Sequence, residues 1–171
     1  MTALPSLAVL DEAAALVRTV VPPTPQYCWP LLSRRVGAEL WVKHENHTPI
    51  GAFKLRGGLV YLNGLRREHP EIAGVITATR GNHGQSIAYA ASRLGLEATV
   101  VVPYGNSVEK NRAMAAFGAT LVEHGHDFQA AYEYALERAA TERLHPVRTF
   151  DPLLMHGVAS YGLELFRGVP D

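Results

Sequence analysis

The stretch 47-HTPIGAFKLRGG-58 sets a lysine, Lys54, between a glycine-bearing turn and the first turn of a helix. Behind it, Leu55, Leu59 and Leu62 fall on one stripe at helical spacing, so Lys54 and Arg56 stand in the opening turn. A helix start already carries partial positive charge, which makes it the wrong end for cations. Local rules broken in this way are expected at functional positions. A lysine amine is a nucleophile only when neutral, and desolvation or a neighbouring positive potential favours that state. The helix start and Arg56 would both act in that sense. The expected product is a Schiff base with a carbonyl compound, for which pyridoxal phosphate (PLP) is the common partner. On the residues alone, an ordinary solvated lysine is the simpler reading of Lys54.

A second loop, 79-TRGNHGQS-86, has chemistry of its own. Gly81 and Gly84 let backbone approach a ligand closely. Asn82 is the expected N-cap of the following helix, with Gln85 three residues on, close to a capping-box pattern. Free amides at such a start suit an anion, although a plain cap fits the same residues. A GxGxxG fingerprint and a GxxxxGK[ST] loop are both absent.

Other candidates read as structural. Lys43 alternates outward on a strand and Lys110 sits on a charged helix face, so both are expected to be solvated. His44, Glu45 and His47, like Glu123, His124 and His126, lack a helical HExxH pairing, and no metal is expected. Glu164 and Arg167, three apart on a helix, read as a surface pair.

These loops need a frame. Ser6 to Val20 reads as a helix, closed by Pro22-Pro23, and PPTPQYCWPLL as an extended, proline-rich stretch. Strands are expected at 38–45, 73–79, 98–103, 119–123 and 146–150. Helices are expected behind Lys54 and at 82–94, 107–117, 127–143 and 152–166. Strands alternating with helices of this length imply an α/β fold, a parallel sheet with helices on both faces. Ligands of such sheets sit at the carboxyl ends of the strands, where both loops emerge.

The 171 residues are 47% apolar and 19% charged, as in a folded globular chain. Lysine and arginine balance aspartate and glutamate at 16 each, so no basic field points to nucleic acid or to an anionic membrane. Cys28 is the only cysteine, which leaves no disulfide framework. The N-terminus lacks a basic region and carries Asp11 and Glu12 within its apolar part, a poor signal peptide; a cytoplasmic setting is expected.

Taken in order, 43-KHENHTPIGAFKLRGG-58, 77-TATRGNHGQSIAYAA-91 and 102-VPYGNSVEKNRAMAAFGATLV-122 resemble the threonine/serine dehydratase family of fold type II PLP enzymes. The resemblance implies that Lys54 of AFKLRG carries the cofactor, with Phe53 beside it and Asn82 on the ring hydroxyl. It implies that Thr79, Arg80, Gly81, Asn82 and His83 form the loop for the substrate carboxylate. It further implies a small-molecule amino-acid substrate, β-elimination to a 2-oxo acid and ammonia, and a homodimer as the suggested assembly. Residues 1–50 would begin the large PLP domain, 51–145 would form the small α/β domain, and 146–171 would return toward the large one. Ala52 departs from the serine usual before the Phe-Lys pair. Arg80 stands where serine racemases place a serine, which argues against racemisation, since guanidinium does not readily give up a proton. No GGG-type phosphate loop is present, so the expectation is the N-terminal half of such an enzyme, its large domain incomplete. The phrases YCWPLL, KHENHTP and HGVASYGLELF are closer to the hydroxyectoine-utilisation dehydratases than to biosynthetic ones. β-Replacement or threonine synthesis on the same fold, and a non-catalytic fragment, stay open.

Overall fold

The structure, a computed structural model, describes residues 4–170. Helix α1 (Leu7–Arg18) opens on Ser6, whose hydroxyl accepts from the Val9 amide. Strands β1 (Gln26–Cys28) and β2 (Trp41–Lys43) form a small antiparallel ladder, with helix α2 (Pro30–Val36) between them. The proline-rich stretch is therefore only partly extended. Pro30 is the first residue of α2, where its missing N–H costs nothing, and Gly37 stops the helix at φ 70°. The strand expected over 38–45 shortens to β2 because Glu45–His47 turns into a short 3-10 segment.

Helix α3 (Lys54–Glu68) starts the repeating part, followed by β3 (Gly74–Ala78), α4 (Asn82–Arg93), β4 (Glu97–Val102), α5 (Val108–Ala116), β5 (Thr120–Glu123), α6 (Phe128–Glu142), β6 (His145–Pro146) and α7 (Pro152–Gly168). The four strands β3 to β6 pair in parallel in the order β5-β4-β3-β6. One face of this sheet packs with α3, α4 and α5 through residues such as Leu62, Val75, Ile87, Val100 and Met114. The other face packs Ile76, Ala78 and Val101 against Ala131, Ala135 and Ala139 of α6. β3 and most of β4 are buried throughout, as near-continuous apolar runs of a two-sided sheet should be. The strand expected over 146–150 is cut to His145–Pro146. Val147 still donates to the Ile76 carbonyl, but Thr149 to Asp151 leave the sheet edge and line a cleft.

Two helix contacts set the height of Lys54. α3 crosses α7 where Gly157 lies against the Arg56 carbonyl and Gly57 against that of Leu154, approaches that leave no room for a Cβ. α3 meets α4 where Gly58 sits under Ser86, whose hydroxyl donates to the Lys54 carbonyl at 2.7 Å. Among the described residues no helix is long and apolar enough to cross a membrane.

Candidate active site

Lys54 is the first residue of α3, and its half-buried side chain opens onto a cleft of about 340 Å³. Phe53, Gly57, His83, Phe150 and Asp151 share that lining with it. The Lys54 amine lies 5.6 Å from the centroid of the Phe53 ring, which stacks in turn at a tilt on Tyr161. Among the described residues Nζ makes no ion pair and no hydrogen bond. A loop held by Thr48, whose hydroxyl donates to the Ala52 carbonyl and accepts from the Ala52 amide at 2.9 Å, fixes the chain just ahead of it.

The second loop leaves the carboxyl end of β3 and enters α4. Asn82 is not its cap: Gly81 holds that position and Asn82 is the first helical residue. The capping is done by Thr79, whose buried hydroxyl oxygen accepts from the amides of Gly81 at 3.0 Å and Gly84 at 3.3 Å. The amides of Asn82 and His83 are left without an acceptor among the described residues, and they are the open donors of this helix start. Arg80 and Asn82 are exposed, and neither is among the residues that line the cleft with Lys54. Lys110 is exposed, as expected of a solvated lysine, and reaches from α5 over Gly81, where its side chain occupies the space a Cβ would need. His83 is buried and its ring lines the cleft with Lys54. Burial pushes its imidazole down to about 4, and the nearby charge of Lys54 acts in the same direction.

The positive neighbour expected of Arg56 is not available. Its side chain is fully buried and engaged by two carboxylates, Glu45 through Nε at 2.7 Å and NH2 at 2.9 Å, and Glu164 through NH1 at 2.9 Å and NH2 at 2.8 Å. Glu164 is thus not half of a surface pair with Arg167, which bonds Asp11 instead. Lys43 is not solvated: its side chain is buried, with Nζ 3.0 Å from Glu164 and 3.1 Å from the Thr24 carbonyl. Burial alone would raise the Glu164 carboxyl, but the bonds from Arg56 and Lys43 outweigh it and hold it below the usual range. Two cations and two carboxylates thereby cancel under the α3 start. Of the histidine and carboxylate clusters considered as metal ligands, Glu45 is spent on Arg56 and Thr24, and His124 stacks on Tyr134 at 3.8 Å.

Residues 17–171 match the family described as pyridoxal-phosphate dependent enzymes. The chain belongs to that family. It is 35% identical over 141 residues to the biosynthetic L-threonine dehydratase of Haemophilus influenzae, a match covering 82% of this chain and 27% of that protein. The fold overlays that of the processed threonine deaminase isoform 2 of Solanum lycopersicum with a TM-score of 0.87 at 33% identity, over 96% of this chain and 48% of that one. It also overlays a pyridoxal 5'-phosphate-dependent aspartate racemase with a TM-score of 0.91 at 28% identity, over 98% and 54% of the two chains. The chain thus spans about half the length of these solved relatives and about a quarter of the Haemophilus enzyme. The α/β architecture expected from the sequence is the architecture of this PLP-dependent family.

The site fits the family's cofactor. An unpaired amine on a mostly apolar cleft wall suits an aldehyde, and the aromatic face of Phe53 stands beside it.

Proposed function

We propose that this chain carries the reactive lysine of a PLP-dependent lyase acting on a small hydroxy amino acid such as threonine or serine. The observation that carries the reading is Lys54 itself, an unpaired amine at a helix start, facing a cleft beside the open amides of Asn82 and His83. Bound there, PLP supplies the electron sink for charge developing at the α-carbon. Lys54 would hold the cofactor's carbonyl, and Phe53 and Asn82 would flank its ring. With the substrate bound, a free Lys54 amine would be the group placed to accept the α-proton. The substrate carboxylate sits on the amides of Asn82 and His83, with Arg80 at the rim and Gly81 leaving space; Thr79 sets those amides through its cap. The proton taken up by Lys54 would be returned to the departing β-hydroxyl, which leaves as water, and hydrolysis of the released enamine would give a 2-oxo acid and ammonia. We place this in the cytoplasm, in a homodimer, with residues 51–145 as the small domain between two parts of a larger one.

The likeness to an aspartate racemase favours one further reading, an acidic substrate whose second carboxylate meets Arg80. Borohydride reduction in the presence of PLP, followed by peptide mapping, tests the core of the proposal. The pyridoxyl label is expected on Lys54 and lost in Lys54→Ala; a label on Lys43 or Lys110 overturns the assignment. Feeding L-threonine, L-serine and 3-hydroxy-L-aspartate, each of which carries a β-hydroxyl, to the protein that takes the label and following 2-oxo acid then separates the two substrate readings.

A further inference from the structure

The tautomer of His83 is fixed by its neighbours. Its Nε2 lies 3.1 Å from the Thr77 hydroxyl, and that hydroxyl lies 2.8 Å from the Val147 carbonyl oxygen. Two oxygens that close need a proton between them, and only threonine has one to give. Thr77 therefore donates to Val147, and its oxygen accepts from His83. Nε2 carries the imidazole proton and Nδ1 carries the lone pair. Among the described residues Nδ1 has no protein partner, yet none of their buried polar side-chain atoms lacks one. It must therefore reach the cleft that His83 lines with Lys54 and Asp151. Burial keeps the ring neutral, so this acceptor persists at ordinary pH.

A lone pair pointing into the cleft repels a carboxylate oxygen and attracts an O–H or N–H. The side chain of His83 is thus unsuited to the carboxylate role that the loop resemblance implies for it, although its backbone amide remains suited. Resting on the proposed function, the choice narrows further. A hydroxy amino acid offers three polar groups. Its carboxylate goes to the amides and its amine is committed to the cofactor carbonyl, which leaves the β-hydroxyl. We infer that His83 Nδ1 accepts a hydrogen bond from the substrate's β-hydroxyl and is the residue that selects hydroxylated amino acids. Thr77 and Val147, on and beside the sheet, are the positioning groups that keep the lone pair turned inward.

The test has two arms. The first uses the chain without cofactor. Imidazole nitrogen NMR, with His83 assigned by its loss in His83→Asn, is expected to show a neutral ring protonated at Nε2 from pH 5 to 8. A proton on Nδ1, or a charged ring at pH 6, overturns the inference whatever the cofactor does. The second arm uses the PLP-loaded chain and two probes that lack an α-proton and differ only by a hydroxyl, 2-methyl-L-serine and 2-aminoisobutyrate. The wild type is expected to prefer the hydroxylated probe, and His83→Phe to lose that preference by about tenfold, the worth of one buried hydrogen bond. His83→Asn, which returns an acceptor near the place of Nδ1, is expected to recover most of it. An unchanged preference in His83→Phe, with Lys54 still labelled by borohydride, refutes the role of His83 alone. Absence of the label on Lys54 refutes the proposed function and the hydroxyl assignment with it.

Discussion

In Glu164→Ala the buried Arg56 guanidinium keeps its bonds to Glu45 and Ser160 but loses both to Glu164, and Lys43 keeps only the Thr24 carbonyl. Two cations then face one carboxylate in a place where Arg56 is 0% exposed. Stranding a charge in this way costs about 3–5 kcal/mol, because its desolvation is no longer offset. A domain of this kind has about 5–15 kcal/mol in total, so the loss is a large part of it. With a urea slope of about 2 kcal/mol per molar, the midpoint of unfolding should fall by about 2 M. Circular dichroism in a urea titration reads this directly. The exposed pair of Arg138 and Glu142 is the control: Glu142→Ala should leave the midpoint unmoved, since water screens that pair. A shift under about 0.5 M in Glu164→Ala would mean that the cluster is not buried as described.

Gly157→Ala should destabilise the fold by about 1–3 kcal/mol, since the new methyl meets the Arg56 carbonyl of a packed helix, and thermal melting checks it. The folded value of His83, about 4, lies below its ordinary 6.5, so the unfolded chain takes up a proton first as pH falls. Stability should be full above about pH 6.5 and decline toward pH 4 by about 3 kcal/mol, a slope that His83→Gln should remove in urea titrations across pH. Gly81→Ala meets only the flexible end of Lys110, so it should change the melting temperature little while weakening binding of an amino-acid carboxylate, measured by calorimetry on the PLP-loaded chain.

The alternation of strands and helices was legible because each element is bounded by local chemistry. Asp127 and Asp151 cap α6 and α7, and Gly95 and Gly118 take the positive φ that stops α4 and α5. The prominence of Lys54 was legible too, as a cation at a helix start. The capping of α4 was not. Thr79 and Asn82 are both good capping types, and only the path of the chain out of β3 decides between them. The fate of Arg56 was hidden for a different reason. Its two carboxylates stand 11 residues before it and 108 after it, beyond any helical or strand period. The same distance hid Glu164, whose nearest charged neighbour in sequence, Arg167, turns to Asp11. The hydroxyl relay from His83 of α4 through Thr77 of β3 to Val147 beside β6 also joins separate elements, and a lone histidine at a helix start carries no mark of it.

The four-charge cluster also bears on the order in which the protein is made. A ribosome delivers Lys43, Glu45 and Arg56 early and Glu164 only 108 residues after Arg56, about 5–20 s later at ordinary rates of synthesis. Through that interval the start of α3 holds one carboxylate against two cations and has no reason to leave water. The parallel sheet can be threaded and paired meanwhile, but Lys54 cannot be seated at its final height until α7 arrives. The Lys54 amine is thus seated only once α7 has been made, and every earlier stage of synthesis passes with the candidate site unformed.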